Sequence, residues 1–162
     1  MKLWFFVAVA LIIALDQASK WWIQCNLAPG QSVSVVSGVL YFTLSFNSGI
    51  AFGLFPQFGQ AFLWLSLILV TVVLVYYLRT RDECGWTTAI ASLLVGGALG
   101  NLWDRLRLGH VVDFIDFRVF PVFNIADMAI TCATALWVVH IGMATKNREQ
   151  GEVASGQSHH LG

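Results

Sequence analysis

Long uncharged apolar runs dominate the chain. From Trp21 to Leu78 the sequence contains no Asp, Glu, Lys, Arg or His. A helix that spans a bilayer needs roughly 20 mostly apolar residues, and four stretches meet this requirement. They lie at about residues 3–23, 60–78, 86–103 and 126–144. The pattern therefore predicts a mainly α-helical membrane protein with four transmembrane helices.

Residues 40–46, LYFTLSF, follow a different period. Every second residue there is a large apolar one, which is typical of a β-strand: Leu40, Phe42, Leu44 and Phe46. A second candidate strand, GHVVDFIDFRVF, lies between the third and fourth spans. Lipid cannot satisfy the backbone polar groups of an open strand. We therefore expect the strands to lie outside the membrane, as a small extracytoplasmic β-sheet. Most of it would come from the loop at about residues 26–58.

The composition supports a membrane location. The chain is 57% hydrophobic and 11% charged, whereas soluble domains carry about 25% charged residues. Nine basic and nine acidic residues give a net charge of zero. With no basic arm and no RNA-recognition motif, nucleic acid is not an expected partner.

The N-terminus also fits a secretory signal peptide, because Lys2 precedes the apolar run WFFVAVALIIAL. No small-x-small cleavage site follows this run, and WIQC before Cys25 does not resemble a lipoprotein cleavage box. We therefore expect the first stretch to remain as a spanning helix.

Basic residues in the short connections predict the orientation. The connection from Gln24 to Gln60 contains none, so we place it outside, together with the loop at 105–125, although that loop carries three arginines. Both termini are then cytoplasmic, and the basic residues on their side are Lys2, Arg79, Arg81, Lys146 and Arg148. Residues 1–145 form one predicted integral-membrane domain. Residues 146–162 form a polar tail that we expect to be disordered.

The sequence contains no pattern that indicates a cofactor. No metal-ligand spacing occurs, so we expect no metal and no cofactor. Cys25, Cys84 and Cys132 fall at different predicted depths, and we expect no disulfide between them.

Acidic residues gather at one level of the predicted fold. Five of them fall at or beside the outer ends of the spans: Asp16, Asp104, Asp113, Asp116 and Asp127. Three have a basic neighbour along the chain, which indicates structural ion pairs: Asp16 with Lys20, Asp104 with Arg105, and Asp116 with Arg118.

Asp113 and Asp127 have no Lys or Arg within four residues. Two carboxyl groups in contact share one proton, because like charges separate their pKa values. This makes the pair a candidate for acid–base chemistry. The alternatives stay open from the residues alone, since Asp127 also fits a helix N-cap and Asp113 an ordinary loop position.

Other polar and small residues have plain structural readings. Asn101 fits interhelical hydrogen bonding, Asn47 a turn, and His140 a satisfied interior histidine. Gly96 and Gly100 form a small-xxx-small pair, which favours close helix packing.

Four motifs in order resemble those of the bacterial lipoprotein signal peptidases, or signal peptidase II. They are DQASKWW, FNSGIAFG, GGALGNLWDRLRLGHVVDFIDF and FNIADMAIT, within about residues 10–135. The resemblance implies an aspartyl endopeptidase of the cell inner membrane, a hydrolase with its active site at the outer leaflet. It would remove the signal peptide of diacylglyceryl-modified prolipoproteins by cutting before the lipidated cysteine.

The resemblance also implies roles for single residues. The catalytic pair would be Asp113 and Asp127. Supporting or substrate-binding roles would fall on Asp16, Lys20, Asn47, Gly49, Asn101, Asp104, Arg105 and Asn124. Its partners would be lipid-modified prolipoproteins and membrane lipids, and we expect a monomer. One departure is Ile50, where the family motif has a small residue.

A small proton-coupled transporter or channel subunit is the rival interpretation. Such proteins distribute carboxylates at several depths or break helices at the midplane. Here the acids cluster at one edge, which favours the peptidase. A purely structural membrane protein leaves the unpaired acids unexplained.

Overall fold

The computed structural model describes residues 2–48, 59–80 and 85–158. The predicted site residue Gly49 and the cysteine Cys84 lie outside these ranges. The described helices and strands are, in chain order, α1 Lys2–Asn26, β1 Ser32–Val36, β2 Leu40–Asn47, α2 Gly59–Arg79, α3 Gly85–Leu108, β3 Val111–Asp116 and α4 Ile125–Ser158.

Each predicted span falls within one of the four helices, so the mainly α class is confirmed. Among the described residues, two helical stretches are long and apolar enough to cross a membrane, namely Lys2–Asn26 and Ile125–Thr145. Leu63–Arg79 is a shorter apolar helix. The polar residues near the end of α3, such as Asn101 and Asp104, make this helix less apolar than α1 and α2.

The third helix, α3, is the centre of the helical part and packs against α1, α2 and α4. Its glycines allow this close approach. A Cβ atom at Gly97 would lie 2.5 Å from the Ala126 carbonyl oxygen, and one at Gly100 would lie 2.7 Å from Asp16 Oδ2. At Gly96 it would lie 2.9 Å from Ile12 Cβ. The predicted packing role of Gly96 and Gly100 is therefore confirmed.

Two apolar clusters form the core. One joins α1, α2 and α3, and its aromatic pair Phe5 and Tyr77 stacks with ring centroids 4.2 Å apart. The other joins the outer end of α1 to the sheet through Ile23, Leu44, Val112 and Phe114. This second cluster fixes the sheet against the end of α1.

The three strands form an antiparallel sheet in the order β1-β2-β3, which confirms the predicted small sheet. Ser45 pairs with Asp113 and Asn47 pairs with Val111. The predicted alternation holds at Leu44, which is buried, but Phe46 is 44% exposed at the strand end. There its ring contacts the ring of His110 at a centroid distance of 4.5 Å.

The backbone of α4 remains helical through the polar residues up to Ser158. This differs from the disordered tail that the polar composition predicts. A helix that is already formed extends at little cost, because each added residue gains one hydrogen bond. Polarity alone does not distinguish such an extension from a disordered chain. The division into a domain at 1–145 and a tail stays a prediction.

Candidate active site

Asp113 and Asp127 line one cavity of about 230 Å³. Asp113 belongs to β3 and Asp127 to the first turn of α4, so the packing of the sheet on the helices brings them together. Three further predicted site residues line the same cavity, namely Asn47, Asn101 and Arg105. Most of the remaining wall is apolar and comes from the segment before α4 and from α4 itself: Phe120, Pro121, Val122, Phe123 and Ile130.

Two asparagine amides hold the Asp113 carboxyl group. Asn124 Nδ2 donates to Asp113 Oδ1 at 2.7 Å, and Asn47 Nδ2 donates to Asp113 Oδ2 at 3.1 Å. Burial, followed by the negative charge of Asp127, raises the pKa of Asp113 to about 7, although these hydrogen bonds and the charge of Lys20 act in the opposite direction. Near neutral pH the protonated and ionised forms of this carboxyl group are therefore both populated.

Asp127 and Asn124 form a reciprocal cap at the start of α4. The Asp127 N–H donates to Asn124 Oδ1 at 2.9 Å, and the Asn124 N–H donates to Asp127 Oδ2 at 3.3 Å. This is the geometry of a capping box, with Asp127 at the third helical position. The prediction of Asp127 as the N-cap is therefore wrong, because Asn124 holds that position, but Asp127 contributes one oxygen to the cap. Its other oxygen, Oδ1, accepts from Asn101 Nδ2 at 2.7 Å.

Asn101 connects the acid pair to a buried lysine. Its Oδ1 accepts hydrogen bonds from Lys20 Nζ and from Asn124 Nδ2, each at 3.1 Å. Since both donors occupy the oxygen side of the amide, the Nδ2 side is left to face Asp127. The predicted interhelical role of Asn101 is confirmed, and it acts on a site residue.

Lys20 lies 1% exposed between two carboxylates. Its Nζ atom is 2.7 Å from Asp16 Oδ2 and 2.8 Å from Asp104 Oδ2. The predicted pair of Asp16 with Lys20 is confirmed. The predicted pairing of Asp104 with its neighbour Arg105 gives way to the one with Lys20, because successive residues on a helix point in different directions.

The same carboxylates also bind backbone groups of other elements. Asp16 Oδ1 accepts from the Ala126 N–H at 2.9 Å, which satisfies a free donor in the first turn of α4. Asp104 Oδ2 accepts from the Val112 N–H of β3 at 3.2 Å. The cluster that these two carboxylates form with Lys20 therefore positions β3 and α4, the two elements that carry the acid pair.

Arg105 changes the predicted electrostatics of the pair. It lines the cavity and interacts electrostatically with Asp127, Asp113 and Asp104. The two acids lack a basic residue nearby in sequence, but the fold supplies one from α3. The absence of a basic residue within four positions of either acid holds along the sequence but not in the folded chain.

Asp116 belongs to a different environment. It accepts from Thr43 Oγ1 at 2.7 Å and lies 3.4 Å from Arg118 Nε, so the predicted ion pair is confirmed. Burial raises the pKa of this carboxyl group, but the hydrogen bonds from Thr43 and the Arg118 N–H and the Arg118 charge outweigh burial, and the pKa falls below its usual value. Asp116 does not line the cavity.

Gln17 is a site residue that the sequence did not single out. Its Nε2 atom donates to Asp104 Oδ1 at 2.9 Å and to Asp16 Oδ2 at 3.1 Å, so it links the two carboxylates that flank Lys20. Its position one helical turn before Lys20 was the available signal. The apolar wall at 120–123 was also missed, because nothing in its spacing relates it to the acids.

Comparisons with known proteins point to one family. A sequence model of the family described as signal peptidase (SPase) II matches residues 8–143. A lipoprotein signal peptidase of Halothermothrix orenii is 36% identical over 141 residues, covering 87% of this chain and 97% of the relative. One of Pelotomaculum thermopropionicum is 43% identical over 131 residues, covering 81% of this chain and 86% of the relative.

Two solved structures have a fold similar to that of this chain. A bacterial membrane enzyme determined by the in meso method superposes with a TM-score of 0.84 at 29% identity, covering 88% of this chain and 90% of that one. A second such structure gives a TM-score of 0.78 at 29% identity, covering 85% and 91% of the two chains. With the family model and these relatives each covering most of its length, the chain belongs to the signal peptidase II family, the lipoprotein signal peptidases.

Proposed function

We propose that this chain is an aspartic endopeptidase that removes the signal peptide from diacylglyceryl-modified prolipoproteins, cutting before the lipidated cysteine. The observation that carries the proposal is the pair Asp113 and Asp127 in one cavity, each held by an asparagine side-chain amide. The relatives named lipoprotein signal peptidase support the choice of substrate.

The two carboxyl groups divide the chemistry between them. Asp113, with its pKa raised to about 7, carries the shared proton and donates it to the scissile carbonyl oxygen. Asp127 takes a proton from the attacking water as the new C–O bond forms. It then passes this proton to the leaving nitrogen as the C–N bond breaks, and the shared proton returns to Asp113. The step needs two carboxyl groups in opposite protonation states, which this pair provides.

The surrounding polar residues orient the pair and the substrate. Asn101 and Asn124 fix the direction of the carboxyl groups, and Asn47 donates to Asp113 from β2. Arg105 places positive charge in the cavity, where an oxyanion develops during the reaction. In the segment after β2, Gly49 would let a substrate backbone approach closely. The buried cluster of Asp16, Lys20 and Asp104 holds the helices in register.

The same proposal includes the placement in the membrane. All four helices cross the bacterial inner membrane, both termini are cytoplasmic, and the cavity opens at the outer leaflet. Large apolar side chains that are more than half exposed on each of α1, α2 and α4 support contact with membrane lipids, among them Leu11, Leu15, Trp64, Ile68, Trp137 and Val138. On α3, Trp103 and Leu106 are at least half exposed as well. The chain acts as a monomer.

The rival function is a proton-coupled transporter or channel subunit. It would require ionisable groups in a path across the bilayer. Between residues 128 and 145 of α4, His140 is the one Asp, Glu, His, Lys or Arg residue. The presence of Arg105, Asp113 and Asp127 around one cavity supports the peptidase.

Cleavage of a lipidated precursor by the purified protein in detergent separates the two functions. We expect the wild type to shorten the precursor at the bond before the modified cysteine, and Asp127→Asn to leave it intact. Added chelator should not reduce the rate, because the two carboxyl groups supply the chemistry. An intact precursor with wild-type protein, or cleavage that chelator abolishes, would contradict the proposal.

A further inference from the structure

The buried cluster around Lys20 holds two carboxylates and one ammonium group. Asp16 and Asp104 are 0% and 2% exposed, and their Oδ2 atoms lie 2.7 and 2.8 Å from Lys20 Nζ. With both carboxylates ionised, the cluster has one negative charge more than its lysine neutralises. A buried charge is costly unless it is paired and hydrogen-bonded. The second carboxylate therefore depends on neutral hydrogen-bond donors.

Gln17 supplies such a donor to both carboxylates. Its Nε2 atom lies 2.9 Å from Asp104 Oδ1 and 3.1 Å from Asp16 Oδ2, and the Gly100 carbonyl oxygen is 3.3 Å away. Because three acceptors surround this atom, the amide presents its NH₂ group, which has two N–H bonds. Hydrogen bonds to ionised acceptors are the stronger ones, so the two hydrogens go to the carboxylates. Gln17 is thus a neutral bridge between them.

The bridge determines which way each carboxylate points. With Oδ1 held by Gln17, Asp104 directs Oδ2 at Lys20 Nζ and at a backbone N–H of β3. Asp16 shares Oδ2 between Lys20 and Gln17, and it directs Oδ1 at a backbone N–H of α4. Lys20 is therefore held between two fixed oxygens. Without the bridge, the excess negative charge would turn one carboxylate away or neutralise it, and the ammonium group would follow the other.

The position of Lys20 Nζ reaches the acid pair through Asn101. Nζ donates to Asn101 Oδ1 at 3.1 Å, and Asn101 Nδ2 donates to Asp127 Oδ1 at 2.7 Å. Lys20 also interacts electrostatically with both Asp113 and Asp127. A displaced ammonium group would release the Asn101 amide and change the electrostatic field at both acids. Gln17 itself does not line the cavity, so any effect on the reaction passes through these neighbours.

We propose that Gln17 is a positioning residue for the reaction and acts through the carboxylates of Asp16 and Asp104. By bridging them it keeps Lys20 on Asn101, so that the Asn101 amide stays directed at the acid pair. This inference rests on the proposed function and adds a residue outside the cavity to its machinery. A packing role of Gln17 between α1 and α3 predicts a loss of stability alone. The positioning role predicts a loss of turnover in protein that is still folded.

Two substitutions of Gln17 separate these roles. Gln17→Met keeps the length of the side chain and removes the donor. Gln17→Glu keeps the shape, and its carboxyl group donates a hydrogen bond only while it is protonated. Once ionised, it adds a third negative charge to the cluster. Gln24 is exposed on the same helix and its amide donates to the Lys20 carbonyl oxygen at 3.2 Å, so Gln24→Met and Gln24→Glu are matched controls.

For Gln17→Met we expect kcat on a lipidated precursor to fall by about tenfold or more with KM unchanged. A small displacement of a catalytic group slows the reaction, while the contacts with the substrate stay intact. The full chain is assayed in detergent, and each rate is divided by the amount of folded protein. A kcat within about twofold of the wild type overturns the inference. So does a raised KM with normal kcat, which would place Gln17 in contact with the substrate.

Gln17→Glu gives a readout that a packing role does not change. We expect the ratio of its kcat to that of the wild type to fall by about tenfold between pH 5 and pH 9, as the introduced carboxyl group loses the proton that it donates. Charged groups on the other elements are present in both proteins, so the ratio removes their contribution: Arg105 on α3, Asp113 on β3 and Asp127 on α4. The ratio for Gln24→Glu should stay constant. A constant ratio for Gln17→Glu overturns the inference.

Circular dichroism at both pH values measures folding in the same samples. We expect Gln17→Glu to keep its helical signal at pH 9 and to recover its activity when it is returned to pH 5. If Gln17→Met does not fold, this pH dependence decides. Loss of the helical signal together with the activity would assign Gln17 to packing alone and would overturn the inference. Failure of the wild type to cut the precursor would instead contradict the proposed function, so the two failures are distinguishable.

Discussion

Lys20 donates a hydrogen bond to Asn101 Oδ1 at 3.1 Å, and this contact determines which side of the Asn101 amide faces Asp127. A positive charge on the oxygen side leaves only the NH₂ group for the carboxylate. The lysine itself is held by Asp16 and Asp104 at 2.7 and 2.8 Å. One buried ammonium group thus stabilises the helix packing and sets the hydrogen-bond direction at the candidate active site.

Lys20→Met should destabilise the protein strongly. The variant leaves Asp16 and Asp104 buried without their cation, and loss of one partner of a buried ion pair costs about 3–5 kcal/mol. Thermal unfolding in detergent measures the effect as a large fall in Tm. Lys2→Met is the control, because Lys2 is exposed and, within the part of the chain that the structure describes, its Nζ atom bonds a single carbonyl oxygen, that of Leu78. A similar Tm for both variants would contradict the structural role of the cluster.

Asp113→Asn and Asp127→Asn should each abolish cleavage of a lipidated precursor while the protein still folds. Each change keeps the size of the side chain but removes the exchangeable proton. The double variant should be hardly worse than either single one, since residues that act as a unit lose their effects together.

Asp116→Asn is the control for this pair of variants. Asp116 lies on the same strand as Asp113, but it pairs with Arg118 and does not line the cavity. We expect it to retain most of the activity in the same assay. Near-normal turnover by either variant of the pair, or loss of activity in Asp116→Asn, would contradict the assignment.

The pKa of Asp113 predicts a dependence on pH. Its folded-state value of about 7 lies above an unfolded value of about 4, so the folded chain binds more protons between these limits. This group's contribution to stability is complete below about pH 4 and is lost as the pH rises through about 7. Unfolding measurements at pH 5 and pH 8 should show a loss in the wild type that is smaller in Asp113→Asn.

The rate of cleavage should depend on the proton of the Asp113 carboxyl group. We expect activity to fall as the pH rises above about 7, because Asp113 then loses the proton that it donates. The profile reports the coupled pair and not either residue alone. A rate that stays constant from pH 6 to pH 9, with binding saturated, would not agree with Asp113 as the acid.

Asn47→Ala should weaken cleavage and shift this upper limb to higher pH. The Asn47 amide donates to Asp113 Oδ2 at 3.1 Å and favours the ionised carboxylate, so its removal raises the pKa further. The pH profile of kcat distinguishes this from a loss of folding. Asn26→Ala serves as the control, because among the described residues the Asn26 amide bonds just the Trp22 carbonyl oxygen, on α1. Wild-type cleavage by Asn47→Ala at every pH would remove Asn47 from the site.

The orientation of the chain can be tested with reporter fusions. The connection from Gln24 to Gln60 has no basic residue, so a reporter inserted after Gly30 should behave as extracytoplasmic. One placed after Cys84 should behave as cytoplasmic, because Arg79 and Arg81 lie in that connection. The opposite result would place the acid pair at the inner face and would contradict the proposed site of action.

Much of the fold follows from the period of the apolar residues. The four helices and the strands around Leu44 and Val112 lie where runs and alternation predict them, because burial of apolar side chains depends on local spacing. The helical extension to Ser158 was missed, since a polar composition is shared by solvated helices and disordered segments.

The sequence by itself determined the inventory of the site: two acids without a neighbouring cation, three asparagines and a lysine one turn after Asp16. Only the tertiary structure decided how they combine. It paired Asp104 with Lys20 rather than with Arg105, and it turned Arg105 toward the cavity. It also placed the Asp16 carboxylate at the start of α4. These contacts link residues far apart in the chain, and they depend on the close approach of helices at Gly97 and Gly100. The small-xxx-small spacing indicates that helices pack closely there, but it does not encode which helices meet.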